Sequence, residues 1–190
     1  MNNSKEVILD KYSLLSDIGK KFNKEGILWA VGASIVLNYY NLIENPNDID
    51  ILVSLKDIEK ADNILKEMGI KKEYKKTEDY STEYFYEYVI ENIDIDVMSG
   101  FKINHKDGVF EYIFDEKSID NVMQINGENI PLTSLEDWYV IYQLIEGREY
   151  KVQKIEKYLN DNGIKNNELL KRSLNGILPN KVKERISKLI

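Results

Sequence analysis

The chain has 190 residues, which is enough for a single domain with a buried core and no stabilising disulfide. It contains no cysteine, which excludes disulfides and zinc–thiolate sites and fits a reducing cytoplasm. A net charge of −7, from 26 basic and 33 acidic side chains, argues against broad electrostatic binding to nucleic acid. No apolar stretch reaches membrane-spanning length and the N-terminus lacks the pattern of a secretion signal, so we expect a cytoplasmic protein with no membrane partner.

The first part of the chain predicts alternating helices and strands. Apolar residues at helical spacing predict a helix over residues 5–24 that ends at Gly26. The predicted elements that follow are a strand at 27–31, a helix at 34–43, a strand at 49–55, a helix at 55–69 and a short strand at 70–76.

Aromatic and β-branched residues then predict strands at 81–91 and 92–101, joined by a tight turn at Glu91–Asn92. Shorter strands are expected near 109–114 and 122–130, the latter with "NGEN" as a hairpin turn. Thr133 or Ser134 caps the first of the last helices, and Glu136 or Asp137 completes a capping box. Four helices are predicted, near 134–146, 149–162, 166–175 and 179–189.

This order predicts an α/β (α+β) fold class, with a small mixed β-sheet and flanking helices. We expect two parts, an α/β domain over residues 1–132 and a C-terminal helical region over residues 133–190 that packs on it.

Two Asp-Ile-Asp stretches carry the clearest functional signal. Asp48 and Asp50 start one predicted strand, and Asp94 and Asp96 lie in another. Alternate strand residues share a face, so each pair points one way while the intervening isoleucines point into a core. If the strands are neighbours, the crowded carboxylates call for a cation, and oxygen ligands favour Mg²⁺.

Simpler structural roles for these residues remain open. Asp48 could close the "NPND" turn, and Asp94 and Asp96 could lie on a solvated edge strand. The small-residue turn Val31–Ser34, "VGAS", links a strand to a helix and lets backbone N–H groups approach a phosphate. Alternatively, Gly32 and Ala33 only permit tight packing of the strand against the helix.

Taken together, "VGAS", a helix, Asp-x-Asp in a strand and a later Asp in another strand resemble the DNA polymerase β-like nucleotidyltransferase superfamily. The spacing from Gly32 to Asp48 resembles its Gly-Gly-x-Ala branch, which includes antibiotic nucleotidyltransferases and nucleotidyltransferase toxins of phage defence. The likeness covers roughly residues 27–98 and continues weakly over residues 131–159. This chain has Ala33 where Gly or Ser is usual.

The resemblance implies that the protein is an enzyme, a nucleotidyltransferase that uses two Mg²⁺ ions and a nucleoside triphosphate such as ATP as substrate. It implies that Asp48, Asp50 and Asp96 are the catalytic metal ligands, with Asp94 as the alternative to Asp96. Gly32, Ala33 and Ser34 would hold the triphosphate. The acceptor would be a hydroxyl of a small molecule, bound between the α/β part and the C-terminal helices.

A non-catalytic protein on the same fold, such as a toxin–antitoxin partner, is the competing hypothesis. The sequence leaves open the acceptor, the nucleotide, the general base and the oligomeric state. Arg148, Lys151 and Lys154 could reach phosphates, although a solvated helix face is the simpler interpretation.

Overall fold

The computed structural model describes residues 2–73 and 77–190, with side chains from residue 11 onward. Up to the middle of the chain, helices and strands alternate as the sequence predicted. In chain order these elements are α1 (Asn2–Lys24), β1 (Trp29–Val31), α2 (Ala33–Tyr39), β2 (Ile49–Val53), α3 (Ile58–Met68), β3 (Ile70–Lys71), β4 (Tyr84–Ile90) and β5 (Ile93–Ser99). The predicted strand at 70–76 is confirmed at its start, and residues 74–76 lie outside the described part.

The second half of the chain begins with short strands and ends with helices. Its elements are β6 (Lys102–His105), β7 (Gly108–Glu111), a 3-10 turn (Glu116–Ser118), β8 (Ile119–Ile125), β9 (Glu128–Thr133), α4 (Leu135–Leu144), α5 (Glu149–Asn162), α6 (Asn167–Leu174) and α7 (Asn180–Ser187).

The four predicted C-terminal helices are confirmed. The sequence missed β6, and it placed β7 and the β8–β9 hairpin only approximately.

Seven strands form one mixed sheet in the order β3-β4-β5-β2-β1-β9-β8, and β6 and β7 form a separate hairpin. The inner pair β2–β5 is parallel, and β1 pairs antiparallel with β2. Strands β4 and β5 are joined at Glu91 and Asn92, which both have positive φ, and Asn126 and Gly127 turn the β8–β9 hairpin in the same way. These turns confirm the two predicted from sequence. The mixed α/β fold class is therefore confirmed.

The two faces of the sheet have different partners. On one face, the Trp29 ring meets Phe22 of α1 edge to face at 5.3 Å, and Tyr88 hydrogen-bonds to Asp62 of α3. On the other face, Trp138 of α4 packs against Gly32. The core is therefore continuous through the sheet, and the cleft lies on the α4 face. The expected division between residues 132 and 133 stays a prediction.

The start of α4 confirms one half of the predicted cap and corrects the other. Ser134 Oγ accepts a hydrogen bond from the Asp137 backbone N–H at 3.0 Å. Neither Glu136 nor Asp137 completes a capping box, because the Ser134 N–H donates to the Ser118 carbonyl oxygen at 3.0 Å. The Asp137 carboxylate accepts a hydrogen bond from the Tyr112 hydroxyl at 2.9 Å. Burial raises the pKa of this carboxyl to about 7.

Within the described residues, no helix is both long and apolar enough to span a membrane.

Candidate metal and nucleotide site

Two carboxylates meet at the middle of the large sheet. Asp50 on β2 pairs in register with Asp96 on the neighbouring strand β5, so both side chains leave the same face. Ile49 and Ile51, on either side of Asp50, are fully buried on the opposite face. The alternation predicted from the sequence is therefore confirmed, and it directs both aspartates into one cleft.

Asp48 joins this pair from the residues just before β2. One carboxylate oxygen from each of Asp48, Asp50 and Asp96 lies within 4.8 Å of the other two. We call these three residues the acidic triad. In the described part of the chain, this is the only group of three acidic or histidine side chains with such spacing. Three oxygen ligands at this separation fit a hard divalent cation such as Mg²⁺.

Asp94, the alternative third carboxylate, lies away from the acidic triad. Its side chain is 63% exposed and forms an ion pair with Lys72. Strand β5 itself is not an edge, because it lies between β4 and β2. The solvated-edge interpretation is therefore wrong for Asp96, whereas Asp94 is a surface residue.

Burial and repulsion between neighbouring carboxylates raise the pKa of two members of the acidic triad, Asp50 and Asp96. Burial raises the pKa of Asp50 well above its ordinary value, and the neighbouring Asp48 and Asp96 raise it further. Burial, followed by the charges of Asp48 and Glu87, raises the pKa of Asp96 to about 6. Glu87 lies directly opposite Asp96 on β4. Burial and repulsion both disfavour the charged forms of Asp50 and Asp96, and a bound cation would offset both effects.

A buried lysine holds the loop that carries Asp48. Lys11 of α1 is only 5% exposed, and its Nζ donates hydrogen bonds to the carbonyl oxygens of Pro46 at 2.6 Å and Asn47 at 2.7 Å. Among the described residues, no carboxylate lies within ion-pair distance of Nζ, although the charge of Asp48 acts on it. Burial is the larger influence and lowers the pKa of Lys11.

Asn38 supports the same loop from α2. Its Nδ2 donates to the carbonyl oxygens of Ile43 and Glu44, at 2.9 and 3.0 Å, and its Oδ1 accepts from the Tyr12 hydroxyl. The backbone from residue 43 to residue 47 is therefore fixed by side chains from two helices. No local sequence pattern indicates this support, because Lys11 lies 35 residues from its first partner.

The turn before α2 contains a strained residue and an unpaired hydroxyl. Ala33 has φ +46°, a left-handed conformation that costs an alanine roughly 1–2 kcal/mol. The Oγ atom of Ser34 is buried and finds no hydrogen-bond partner among the described residues. Both residues line the cleft that contains the acidic triad. An unpaired buried donor beside the carboxylates suits a phosphate oxygen.

Gly32 has two roles that the sequence could not separate. Its N–H donates to the Asp50 carbonyl oxygen at 2.9 Å, which ties the turn to β2. A Cβ at this position would lie 2.3 Å from Cζ2 of Trp138, so only glycine lets α4 pack here. Tight packing explains why a glycine is needed at position 32, and Ala33 and Ser34 line the cleft. Contact of Gly32 with a triphosphate stays a prediction.

Two cations line the cleft near Asp50. Arg148 and Lys151 both lower the pKa of Asp50, and Lys151 Nζ lies 4.8 Å from the centre of the Tyr142 ring. Lys154 points elsewhere, because its Nζ donates to the Leu42 carbonyl oxygen at 2.7 Å. The interpretation as a solvated helix face is wrong for Lys151, which is half-buried in the cleft.

Comparisons with known proteins agree with this geometry. A family model described as "Uncharacterised nucleotidyltransferase" matches residues 10–147, which include the acidic triad and the "VGAS" turn. No curated protein sequence matches the chain.

Two solved structures show how far the fold is shared. TM1012 from Thermotoga maritima, assigned as a nucleotidyltransferase, is 25% identical with a TM-score of 0.59, over 78% of this chain and 92% of that chain. ANT(2")-Ia, solved in complex with adenylyl-2"-tobramycin, is 13% identical with a TM-score of 0.55, over 95% of this chain and 97% of that chain. At that identity, the second likeness shows the fold alone.

Proposed function

Because the chain belongs to this nucleotidyltransferase family, we propose that it transfers a nucleoside monophosphate from a nucleoside triphosphate to a hydroxyl of a small acceptor. The observation that carries the proposal is the register of Asp50 with Asp96, which brings residues 46 positions apart in the chain into one acidic triad with Asp48. Two Mg²⁺ ions held by these carboxylates would stabilise the leaving pyrophosphate and lower the pKa of the acceptor hydroxyl.

The triphosphate is assigned to the end of the cleft nearest β1. There the unpaired Ser34 hydroxyl can donate to a phosphate oxygen, and Ala33, the first residue of α2, lines the same cleft. Arg148 and Lys151 line the same cleft and supply positive charge close enough to act on Asp50. These groups orient the α-phosphate toward the acidic triad.

The reaction then needs one bond exchange. The acceptor oxygen attacks the α-phosphorus, the bond from the α-phosphorus to the bridging oxygen breaks, and pyrophosphate leaves with the electron pair. The acceptor proton passes to Asp96 or to solvent, and Asp96 is the carboxylate placed on the side away from the phosphate-binding turn.

A small acceptor is consistent with the size and charge of the site. The cleft has a volume of about 200 Å³ and the chain carries a net charge of −7, which disfavours a long polyanion. ANT(2")-Ia, which shares the fold, was solved with an adenylylated small molecule, adenylyl-2"-tobramycin.

The test is transfer of label from nucleoside triphosphates labelled at the α-phosphate, with Mg²⁺ and an unfractionated cell extract as the source of acceptors. Label should appear in a new product with wild-type protein and with Asp94→Asn, and should be absent with Asp50→Asn. The two variants make the same chemical change in two similar segments, so they control for loss of charge alone.

The competing hypothesis predicts a different result in the same samples. A non-catalytic protein would bind ATP and Mn²⁺ by calorimetry and would produce neither labelled product nor pyrophosphate. Equal labelling by wild type and Asp50→Asn would instead contradict the role of the acidic triad.

A further inference from the structure

The cleft has a different chemistry at each end, and the strand order shows how the ends are arranged. Reading across the sheet, β1 with the turn to Ser34 comes first, then β2 with Asp50, β5 with Asp96 and finally β4 with Phe85. The turn at Ala33 and Ser34, which suits a phosphate, therefore lies on the β1 side of the acidic triad. Whatever binds on the β4 side contacts Asp96 first.

An apolar surface begins two residues beyond Asp96 along β5. Met98 follows two residues later on the same face of β5, and Phe85 is its direct partner on β4. The ring of Tyr80 is stacked on Phe85 at 6.2 Å between centroids, and it lies 5.9 Å from Phe101. All four line the same cleft as the acidic triad. We call Tyr80, Phe85, Met98 and Phe101 the apolar wall.

The apolar wall has no carboxylate to pair with a polycationic acceptor, and Arg148 and Lys151 already supply positive charge to the same cleft. Among the described residues lining the cleft, the only carboxylates are the three of the acidic triad, and these are assigned to the metal ions. Glu87 lies opposite Asp96 on β4 but is not part of the lining. An acceptor with several ammonium groups would have to bury them against aromatic rings without a carboxylate partner. A ring with an apolar face would instead replace water along the wall at no such cost.

We propose that the acceptor is a small neutral molecule that places an apolar ring against Tyr80, Phe85, Met98 and Phe101 and presents a hydroxyl next to Asp96. This inference rests on the proposed nucleotidyl transfer and specifies its second substrate. The volume of about 200 Å³ for the whole cleft means that only part of the acceptor is inserted, with the remainder outside.

The first experiment identifies the acceptor and determines its charge. The labelled product from the extract is isolated and cleaved with phosphodiesterase, and the liberated acceptor is analysed by mass spectrometry and by retention on cation-exchange and reversed-phase columns. We expect an uncharged, ring-containing compound retained on the reversed phase, and no labelling of tobramycin when it is offered as a polycationic probe. A liberated acceptor with two or more amines, a nucleic acid or a protein would overturn the proposal.

Variants then locate the acceptor in the cleft. With the identified acceptor, Phe85→Ala should raise the acceptor KM by about 10- to 100-fold while changing the ATP KM less than about twofold. Phe85→Leu, which keeps an apolar side chain without the ring, should give an intermediate value and serves if the alanine variant folds poorly. Tyr84→Ala, on the opposite face of β4, is the matched control and should leave both KM values unchanged.

The results distinguish a failure of the acceptor placement from a failure of the proposed nucleotidyl transfer. An unchanged acceptor KM in Phe85→Ala, or equal increases for acceptor and ATP, would overturn the placement on the apolar wall while leaving nucleotidyl transfer intact. Absence of any labelled product and of pyrophosphate would remove the transferase proposal itself, and the acceptor assignment with it.

Discussion

The segments "NDIDILV" (Asn47–Val53) and "NIDIDVM" (Asn92–Met98) share the sequence Asp-Ile-Asp after an asparagine, but they contribute differently to the site. Both aspartates of the first segment enter the acidic triad, but only Asp96 of the second does. The reason is where each strand starts. Strand β5 already includes Asp94, which stays in register with Val89 of β4 and reaches Lys72. Strand β2 starts only at Ile49, so the chain bends before it and brings Asp48 toward Asp50.

A pattern of alternating aspartates therefore predicts that the side chains share one face of a sheet, but it does not predict that they form a metal site. Position along the strand and the support of the preceding loop decide which carboxylates converge. Four substitutions test this difference between the segments, and they are ordered by the size of the expected effect.

Asp50→Asn should have the largest effect, because both other carboxylates of the acidic triad act on Asp50. We expect nucleotidyl transfer to fall by at least about 10³-fold, equivalent to roughly 4 kcal/mol of transition-state stabilisation. Mn²⁺ binding, measured by electron paramagnetic resonance, should weaken in parallel. If a folded Asp50→Asn variant kept both transfer activity and Mn²⁺ affinity, the assignment of Asp50 to the metal site would be contradicted.

Lys11→Met tests whether the loop support, rather than the sequence of the segment, brings Asp48 into place. Removing the donor to the Pro46 and Asn47 carbonyl oxygens should weaken Mn²⁺ binding by about 10- to 100-fold, as for other residues that orient metal ligands. Lys11→Arg should recover much of the affinity. Lys20→Met, at an exposed position of the same helix, is the control, and equal effects at both positions would show a general loss of charge.

Asp96→Asn should stabilise the metal-free protein. The pKa of Asp96 is about 6 in the folded chain, against an ordinary value of 3.8. Such a difference corresponds to roughly 3 kcal/mol, which partial solvent exposure reduces to about 1 kcal/mol.

Since the folded-state pKa is raised, the folded protein binds more protons than the unfolded chain between about pH 4 and pH 6, and the wild type loses stability as pH rises through that window. The advantage of the variant should therefore be present at pH 7 and vanish near pH 4, as measured by urea unfolding without metal. An advantage that is the same at both pH values would refute an electrostatic origin of the effect.

Asp94→Asn should have the smallest effect. The ion pair of Asp94 with Lys72 is solvent-exposed, and such pairs contribute about 0–1 kcal/mol. Transfer and Mn²⁺ affinity should stay within about twofold of wild type. A large loss of either would place Asp94 in the site and undo the distinction between the two segments.

Much of the fold was predictable because its elements have strong local patterns. The positive-φ turns at Glu91–Asn92 and Asn126–Gly127 and the Ser134 cap are signals contained within a few residues. Strand β6, with the sequence "KINH", was missed because four mostly polar residues carry no strand signal of their own.

The site was predictable only in part, since its decisive features depend on tertiary structure. The alternation of Asp50 with isoleucines indicated a shared face, but the choice between Asp94 and Asp96 needed the register of β2 with β5. Lys11 and the apolar wall come from distant segments and become visible only when the chain is folded. The resemblance to nucleotidyltransferases is confirmed by the family match.

Ala33 has a consequence for how this protein could change over generations. Every alanine codon becomes a glycine codon by one nucleotide substitution, and glycine adopts φ +46° without the steric penalty that alanine carries. A relaxed and more mobile turn beside Ser34 is therefore a single mutational step away. Ala33→Gly is therefore a suitable first substitution for laboratory evolution of altered nucleotide use.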